Sequence, residues 1–286
     1  MRGQRSSLAA RLFRSGKGRA AGLVIALFVL IGIAAPLLSP YPYQEQHLAI
    51  ANKPPSTAHW LGTDEFGRDV ATRIMWGART SLSVAVTSIA VSVLVGIALG
   101  AVAAYYGGWT DWLITAAADL SWSFPEILIA LLLVAIAGAG LGSVMIAIAV
   151  AYLAQFIRLM RGQIISLKGE TFVEATRSLG ATDREILQRH LIPNALSPVI
   201  VAGMLATGDA IVLEATLSFF GLGAQPPTPS WGSMMNAGTG LMFLAPWIFI
   251  FPGLAMAITV VSINLFGDAL IAALDIRRQD LAARVP

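Results

Sequence analysis

The sequence predicts an all-α membrane protein with six transmembrane helices and both termini in the cytoplasm. Three observations carry this expectation. Of the 286 residues, 56% are hydrophobic and 12% charged, and the mean hydropathy is +0.73, far outside the composition of a soluble domain. Six stretches come near the ~20 apolar residues that a helix needs to cross a hydrocarbon core of about 30 Å. Lys and Arg, finally, gather on alternate connections.

The first span, residues 20–38, follows Arg11, Arg14, Lys17 and Arg19, as the apolar part of a secretory signal would. Its run is long for a signal, and Pro36 sits just after Ala34 and Ala35, where a cleavage site would have to end. It is therefore read as a retained helix. Spans two to six are predicted at 81–105, 112–137 (interrupted by Pro125), 143–157, 197–220 and 243–269 (with Pro246 and Pro252 inside). Residues 1–19 and 279–286 become tails and 39–80 an extracytoplasmic loop. Residues 81–278 form the core, with a cytoplasmic loop at about 162–196.

With the N-terminus inside, fifteen Lys and Arg fall on the cytoplasmic side and four, Lys53, Arg68, Arg73 and Arg79, outside. That asymmetry sets the orientation. It also assigns the basic excess to the lipid surface rather than to nucleic acid.

Several chemistries are excluded. Without cysteine there are no disulfides, thiol nucleophiles or thiolate metal sites. His47, His59 and His190 are too far apart in sequence to share a helix face as metal ligands, and read as polar loop residues. The chain has three lysines, Lys17, Lys53 and Lys168, and none completes a G-x-x-x-x-G-K-[ST] phosphate cradle. Hydrolase signatures are missing too. Energy for transport would then come from an ion gradient or from another polypeptide.

For an ion gradient the candidate side chains are Asp119, Asp209 and Glu214. Asp209 lies about 18 Å along the fifth span at 1.5 Å per residue, close to mid-membrane. An acid there costs roughly 2.5 to 3.5 kcal/mol against lipid, so it must face a polar pathway, a partner helix or an ion.

The most polar block, EATRSLGATDREILQRHLIP, lies at 174–193 between two apolar runs. From 170 to 179 the apolar residues Phe172, Val173, Ala175 and Leu179 recur at helical spacing, which predicts a short amphipathic helix. Gly180 follows where a residue without Cβ closes a helix. Thr182-Asp183-Arg184-Glu185 then reads T-x-x-E, a capping box that starts a second helix. That helix is expected to end before Pro193. A compact hairpin of this kind is either a solvated connector or a docking surface for a soluble partner.

These residues resemble the EAA loop of ATP-binding-cassette importer permeases. Glu174, Ala175 and Thr176 stand at E-A-A, Gly180 at the glycine, and His190, Ile192 and Pro193 at the closing I-x-L-P. Thr176, His190 and Ile192 depart from the pattern, while the glutamate, glycine and proline are kept. LGTDEFGRDVATRIMWGARTSL (61–82) and EATLSFFGLGAQPPTPSWGSMM (214–235) are similar to blocks in permeases for dipeptides, oligopeptides and nickel. The likeness extends from about residue 20 to 278 and is nearest to the C-type member of the peptide pair.

The resemblance implies a type I ABC importer permease fold in the bacterial cytoplasmic membrane, surrounded by lipid. It implies a paralogous second permease subunit, one or two kinds of ABC ATPase, and an extracytoplasmic substrate-binding protein. No cofactor is expected on this chain; ATP and Mg belong to the ATPases, and the missing phosphate cradle fits that division. The coupling set would be Glu174, Ala175, Thr176, Gly180, Thr182, Glu185, His190, Ile192 and Pro193.

A pathway or gate would draw on Asp119, Asp209, Glu214, Trp231 and Met234. The charge-free stretch 221–245, with Pro226, Pro227, Pro229 and Trp231, is expected to serve as a gate, a seat for the binding protein or an interfacial aromatic anchor. Peptides are the expected substrate. Nickel, glutathione or another small solute, a stand-alone ion-coupled carrier and a non-transporting scaffold stay open.

Overall fold

The computed structural model describes residues 15–282. The expected basic tail before residue 15 and the last four residues lie outside the described residues. Ten α-helices make up most of the described chain: α1 Gly16–Leu38, α2 Val70–Tyr106, α3 Gly108–Trp122, α4 Glu126–Ala137, α5 Leu141–Lys168, α6 Thr171–Ser178, α7 Asp183–Glu185, α8 Ile192–Phe219, α9 Trp231–Thr239 and α10 Trp247–Ala282. A π-helical turn, Ile186–Leu191, joins α7 to α8. Helices α1, α2, α5 and α10 are each long and apolar enough to cross a membrane, as is the run Asp183–Phe219 containing α8. The pair α3 and α4 makes the sixth span only if counted as one, since it bends by 93° at its break.

The chain divides into two units, residues 1–84 with 207–286, and residues 85–206. In the first, α1 and α9 both pack against α10. Helix α1 approaches α2 so closely that a Cβ on Gly32 would stand 3.1 Å from the Arg79 backbone nitrogen. Ahead of α2 the chain folds on a charged network. Asp64 Oδ1 accepts the backbone N–H groups of Phe66 and Arg68 at 3.0 and 2.9 Å, while Arg68 Nε donates to Oδ2 at 2.6 Å. Asp69 accepts the Thr72 N–H at 2.7 Å and so caps α2, and it also bonds His59 Nδ1 at 2.9 Å.

That cap explains why α2 starts at Val70 and not at 81: the polar first turns are helical because their charges are already paired.

In the second unit α3 and α4 pack against α5. The expected third span, 112–137, is two helices, because Pro125 has no N–H to continue the ladder and stands as the cap of α4. One stripe of small residues brings α2 against α5. Ser92 Oγ donates to the Ala149 carbonyl at 2.5 Å, a Cβ on Gly96 would lie 3.0 Å from the Phe156 carbonyl carbon, and one on Gly100 would lie 2.9 Å from Met160 Cβ. This small-xxx-small spacing lets two backbones meet where lipid supplies no hydrophobic drive.

Other boundaries also shift. Helix α5 runs to Lys168, beyond the apolar run that ends at 157, so the first residues of the expected 162–196 loop are helical. Helix α10 starts at Trp247, after Pro246, with Pro252 inside it.

Candidate functional site

The polar block folds as a hairpin of two helices around a glycine. At its turn Gly180 has φ +87°, a left-handed conformation that side chains with a Cβ rarely adopt. The Gly180 N–H bonds the Arg177 carbonyl at 3.0 Å, and the Ala181 N–H bonds the Thr176 carbonyl at 3.3 Å. This is a Schellman closure, in which the last carbonyls of α6 find partners. Thr182 then caps α7 reciprocally: Glu185 N–H donates to Thr182 Oγ1 at 3.4 Å, and Thr182 N–H donates to Glu185 Oε2 at 3.1 Å. Both turn devices read from the sequence are thus in place.

The apolar side of the hairpin faces inward through Val173, Ile186, Leu187 and Leu191, all buried. Its other side exposes Glu174, Ala175, Arg184 and Arg189, with Leu179 standing 88% exposed in their midst. The surface presented is charged around an apolar knob. That composition suits a soluble partner's groove better than lipid.

The second half of the hairpin departs from expectation. Instead of ending before Pro193, it passes through the π turn into α8, with the Ile192 N–H bonded to the Leu187 carbonyl five residues back. The wide turn absorbs the break, because Pro193 falls in the first turn of α8, where a missing N–H costs least. His190 and Ile192 are half-buried there, and the His190 carbonyl accepts from Asn194 Nδ2 at 2.7 Å.

One buried side chain that sequence reasoning passed over reaches this hairpin. The Tyr105 hydroxyl, at the end of α2, donates to Asp183 Oδ1 at 2.5 Å. A tyrosine closing a long apolar helix reads as an interfacial aromatic, so no local signal marks it.

The other candidates are scattered. Asp119 pairs with Arg158, whose NH2 lies 2.5 Å from Asp119 Oδ1, and the guanidinium sits 5.0 Å over the Trp122 ring. The pair is half-exposed, at 51% and 41% of the two side chains. Asp209 is exposed on α8.

Glu214, Trp231 and Met234, expected at a pathway or gate, are all buried within the first unit. Glu214 is fully buried, accepting from Ser218 Oγ at 2.6 Å with the Ser81 and Ser230 side chains beside it. Trp231 is fully buried as well; its Nε1 donates to the Ile74 carbonyl at 3.2 Å and Phe28 meets it edge-on at 5.8 Å. Met234 packs with Val70, Ala245 and Ile248. The interfacial-anchor reading of Trp231 fails because its one polar atom already has an internal partner. The Arg68 guanidinium pairs with Asp64 and Glu65.

Comparison with known proteins bears on what this arrangement serves. The family described as binding-protein-dependent transport system inner membrane component matches residues 96–280. The N-terminal TM domain of oligopeptide transport permease C matches residues 6–55. The glutathione transport system permease protein GsiD of Pectobacterium atrosepticum is 42% identical over 93% of this chain and 88% of its own length. The dipeptide transport system permease protein DppC of Alkalihalophilus pseudofirmus is 42% identical over 88% of this chain and 83% of its own. Among solved structures, the inward-facing MetNI methionine ABC transporter aligns with a TM-score of 0.56 at 18% identity, covering 69% of this chain and 94% of the other, a likeness of fold alone. The chain belongs to the family of binding-protein-dependent transport system inner membrane components, and is a multi-pass inner-membrane permease subunit of an ABC importer.

Proposed function

We propose that this chain forms half of a translocation pathway for short peptides and is driven by ATPases that seat on the 170–193 hairpin. The observation that carries the coupling half is the hairpin itself, a stiff element closed by a Schellman turn and a capping box that presents a charged face around Leu179. A loop that transmits a stroke must not absorb it, and both devices remove freedom at the turn. ATP and Mg then act on separate subunits, consistent with a sequence that completes no phosphate cradle.

A second, paralogous permease completes the pathway, and an extracytoplasmic binding protein loads it. The hairpin and both termini lie in the cytoplasm on this reading, which the excess of Lys and Arg supports. The Asp119–Arg158 pair of the second unit lines the pathway, since a half-exposed charge pair on a spanning segment needs water or a partner chain beside it.

Peptides are favoured because the oligopeptide permease domain matches the N-terminal part and a dipeptide permease is 42% identical. A glutathione permease is equally similar, and glutathione is itself a small peptide derivative. Two experiments test this. Affinity purification of the chain from native membranes should bring down a second permease and P-loop ATPases in stoichiometric amounts; recovery of the chain alone sinks the coupling reading. Competition between labelled dipeptides and glutathione for uptake by the assembled system decides the substrate, and uptake of neither refutes the peptide assignment.

A further inference from the structure

The second unit carries one polar junction that neither the family match nor the hairpin's own closure accounts for. Four helices meet at Tyr105. Its hydroxyl donates to Asp183 Oδ1 at 2.5 Å, on the first residue of α7. Arg177, in the last turn of α6, reaches the same hydroxyl at 3.5 Å and Asp183 at 3.8 Å. Lys168, the final residue of α5, donates from Nζ to the Tyr105 carbonyl at 2.6 Å and lies 5.2 Å over the ring. That ammonium also sits where the end of α2 leaves unpaired carbonyls, a favourable place for a cation.

The burial is uneven. Tyr105 is 4% exposed, whereas the Asp183 and Arg177 side chains are 63% and 59% exposed. The anchor is inside and its partners are on the exposed side. The hairpin leaves α5 through Gly169 and Glu170 and enters α8 through the π turn, and at the α5 end Gly169 has no neighbour within 4 Å of a Cβ. Its inner apolar face adds grip but no direction, because contacts among Val173, Ile186, Leu187 and Leu191 tolerate sliding. Hydrogen bonds to a charged group are directional and resist it. Beyond Tyr105, the end of α2 is already fixed to α5 through the close contacts at Gly96 and Gly100.

We propose that Tyr105 is a positioning residue: its hydroxyl latches the hairpin, through Asp183, to the ends of α2 and α5, so that displacement of the hairpin moves these helices instead of swivelling about Gly169. This rests on the hairpin being the ATPase seat. The residue does nothing to substrate or nucleotide. Its effect is on how much transport each hydrolysis yields.

The test uses the complete importer, with its ATPases, partner permease and binding protein, in proteoliposomes, reading substrate imported per ATP hydrolysed. Tyr105→Phe keeps the ring and removes only the hydroxyl. The expected result is full assembly and near-normal hydrolysis, with import per ATP reduced about tenfold, the equivalent of one lost charge-assisted hydrogen bond at the low end of its range. Asp183→Ala, which removes the acceptor, should do the same from the exposed side, and the double variant should be no worse than either, since both remove one bond. If Tyr105→Phe assembles poorly, Asp183→Ala alone decides.

Gly180→Val, which deforms the hairpin's closure and leaves both the Tyr105 hydroxyl and the Asp183 carboxylate in the chain, serves as reference. Import per ATP unchanged in the latch variants while Gly180→Val lowers it overturns the latch and leaves the coupling role of the hairpin standing. No change in any of the three overturns both. Additive losses in the double variant mean the two residues act separately, and also overturn the latch.

Discussion

The hairpin at 170–193 and the segment 214–235 each contain a short helix opened by a capping box, Thr182 with Glu185 in one and Ser230 with Ser233 in the other. Their supports differ in kind. At the hairpin's turn the bonds join near neighbours, Gly180 to Arg177 and Ala181 to Thr176. In 214–235 they span the chain: the Trp231 N–H donates to Ser81 Oγ at 3.3 Å and its Nε1 to the Ile74 carbonyl at 3.2 Å. The hairpin shows its chemistry outward, around Leu179, and the other segment buries Glu214, Trp231 and Met234. One is a surface that can be seized by another protein. The other is a wall of the first unit, and damage to it should spread.

The sharpest way to break this comparison is Gly232→Val. A Cβ at that position would overlap the Ala215 carbonyl oxygen, which belongs to the α8 backbone and has no rotamer to escape into. A loss of about 3 kcal/mol or more is expected, because backbone and helix must both move. Thermal unfolding of the purified chain in detergent measures it; a cost below that of any hairpin variant would end the distinction. Trp231→Phe comes next, at about 2 kcal/mol, by removing the indole's added hydrogen bond to the Ile74 carbonyl and leaving a gap beside Phe28. The same melting experiment measures it, and a loss no larger than that of an exposed substitution, about 0.5 kcal/mol, would show that the indole's burial carries little.

Gly180→Val should cost less, about 1 to 2 kcal/mol, and for a different reason. Nothing lies within 4 Å of a Cβ there, so space is free and only the positive φ is at stake. Gly180→Asn, which tolerates that conformation, should therefore recover most of the loss. If asparagine is as harmful as valine, the glycine answers to a contact and not to its backbone.

Legibility from the sequence follows the same division. Gly180 and the T-x-x-E box were readable because each acts on residues three or four positions away. The buried place of Trp231 was not readable, since its partners lie about 150 residues away and an indole suits an interface as well as a core. Asp119 showed its charge but not Arg158, which sits 39 positions on. The Ser92, Gly96, Gly100 stripe does carry a signal, small residues four apart in an apolar helix, and could have located the α2 and α5 contact. Pro193 misled for a physical reason: the rule that a helix stops before proline holds for an α ladder, and a π turn escapes it. The turns were local problems and the packing was not.

Thr182→Ala should remove about 1 kcal/mol through the lost cap, read as faster hydrogen exchange at Glu185 with no change in the first unit. A smaller effect lies in the network before α2, where Asp64 and Glu65 compete for the same cations. Asp64 takes Arg68 Nε at 2.6 Å, leaving Glu65 with Arg68 NH2 at 3.2 Å. Burial, and then the Asp64 charge, push the Glu65 carboxyl above its ordinary value of 4.5 despite the opposing arginines. The native state therefore holds this proton more tightly than the unfolded chain does. Its stability falls as pH rises from 4.5 through the raised native value, and the penalty is complete above that window. Glu65→Gln, which keeps an acceptor for Arg68 and cannot ionise, should be more stable than the parent at neutral pH by up to about 1 kcal/mol, with the gain vanishing below the window. Melting both proteins across that range checks it: a gain that stays constant with pH would show that Glu65 acts by packing, and a loss at neutral pH would show that the arginines, not burial, govern the site.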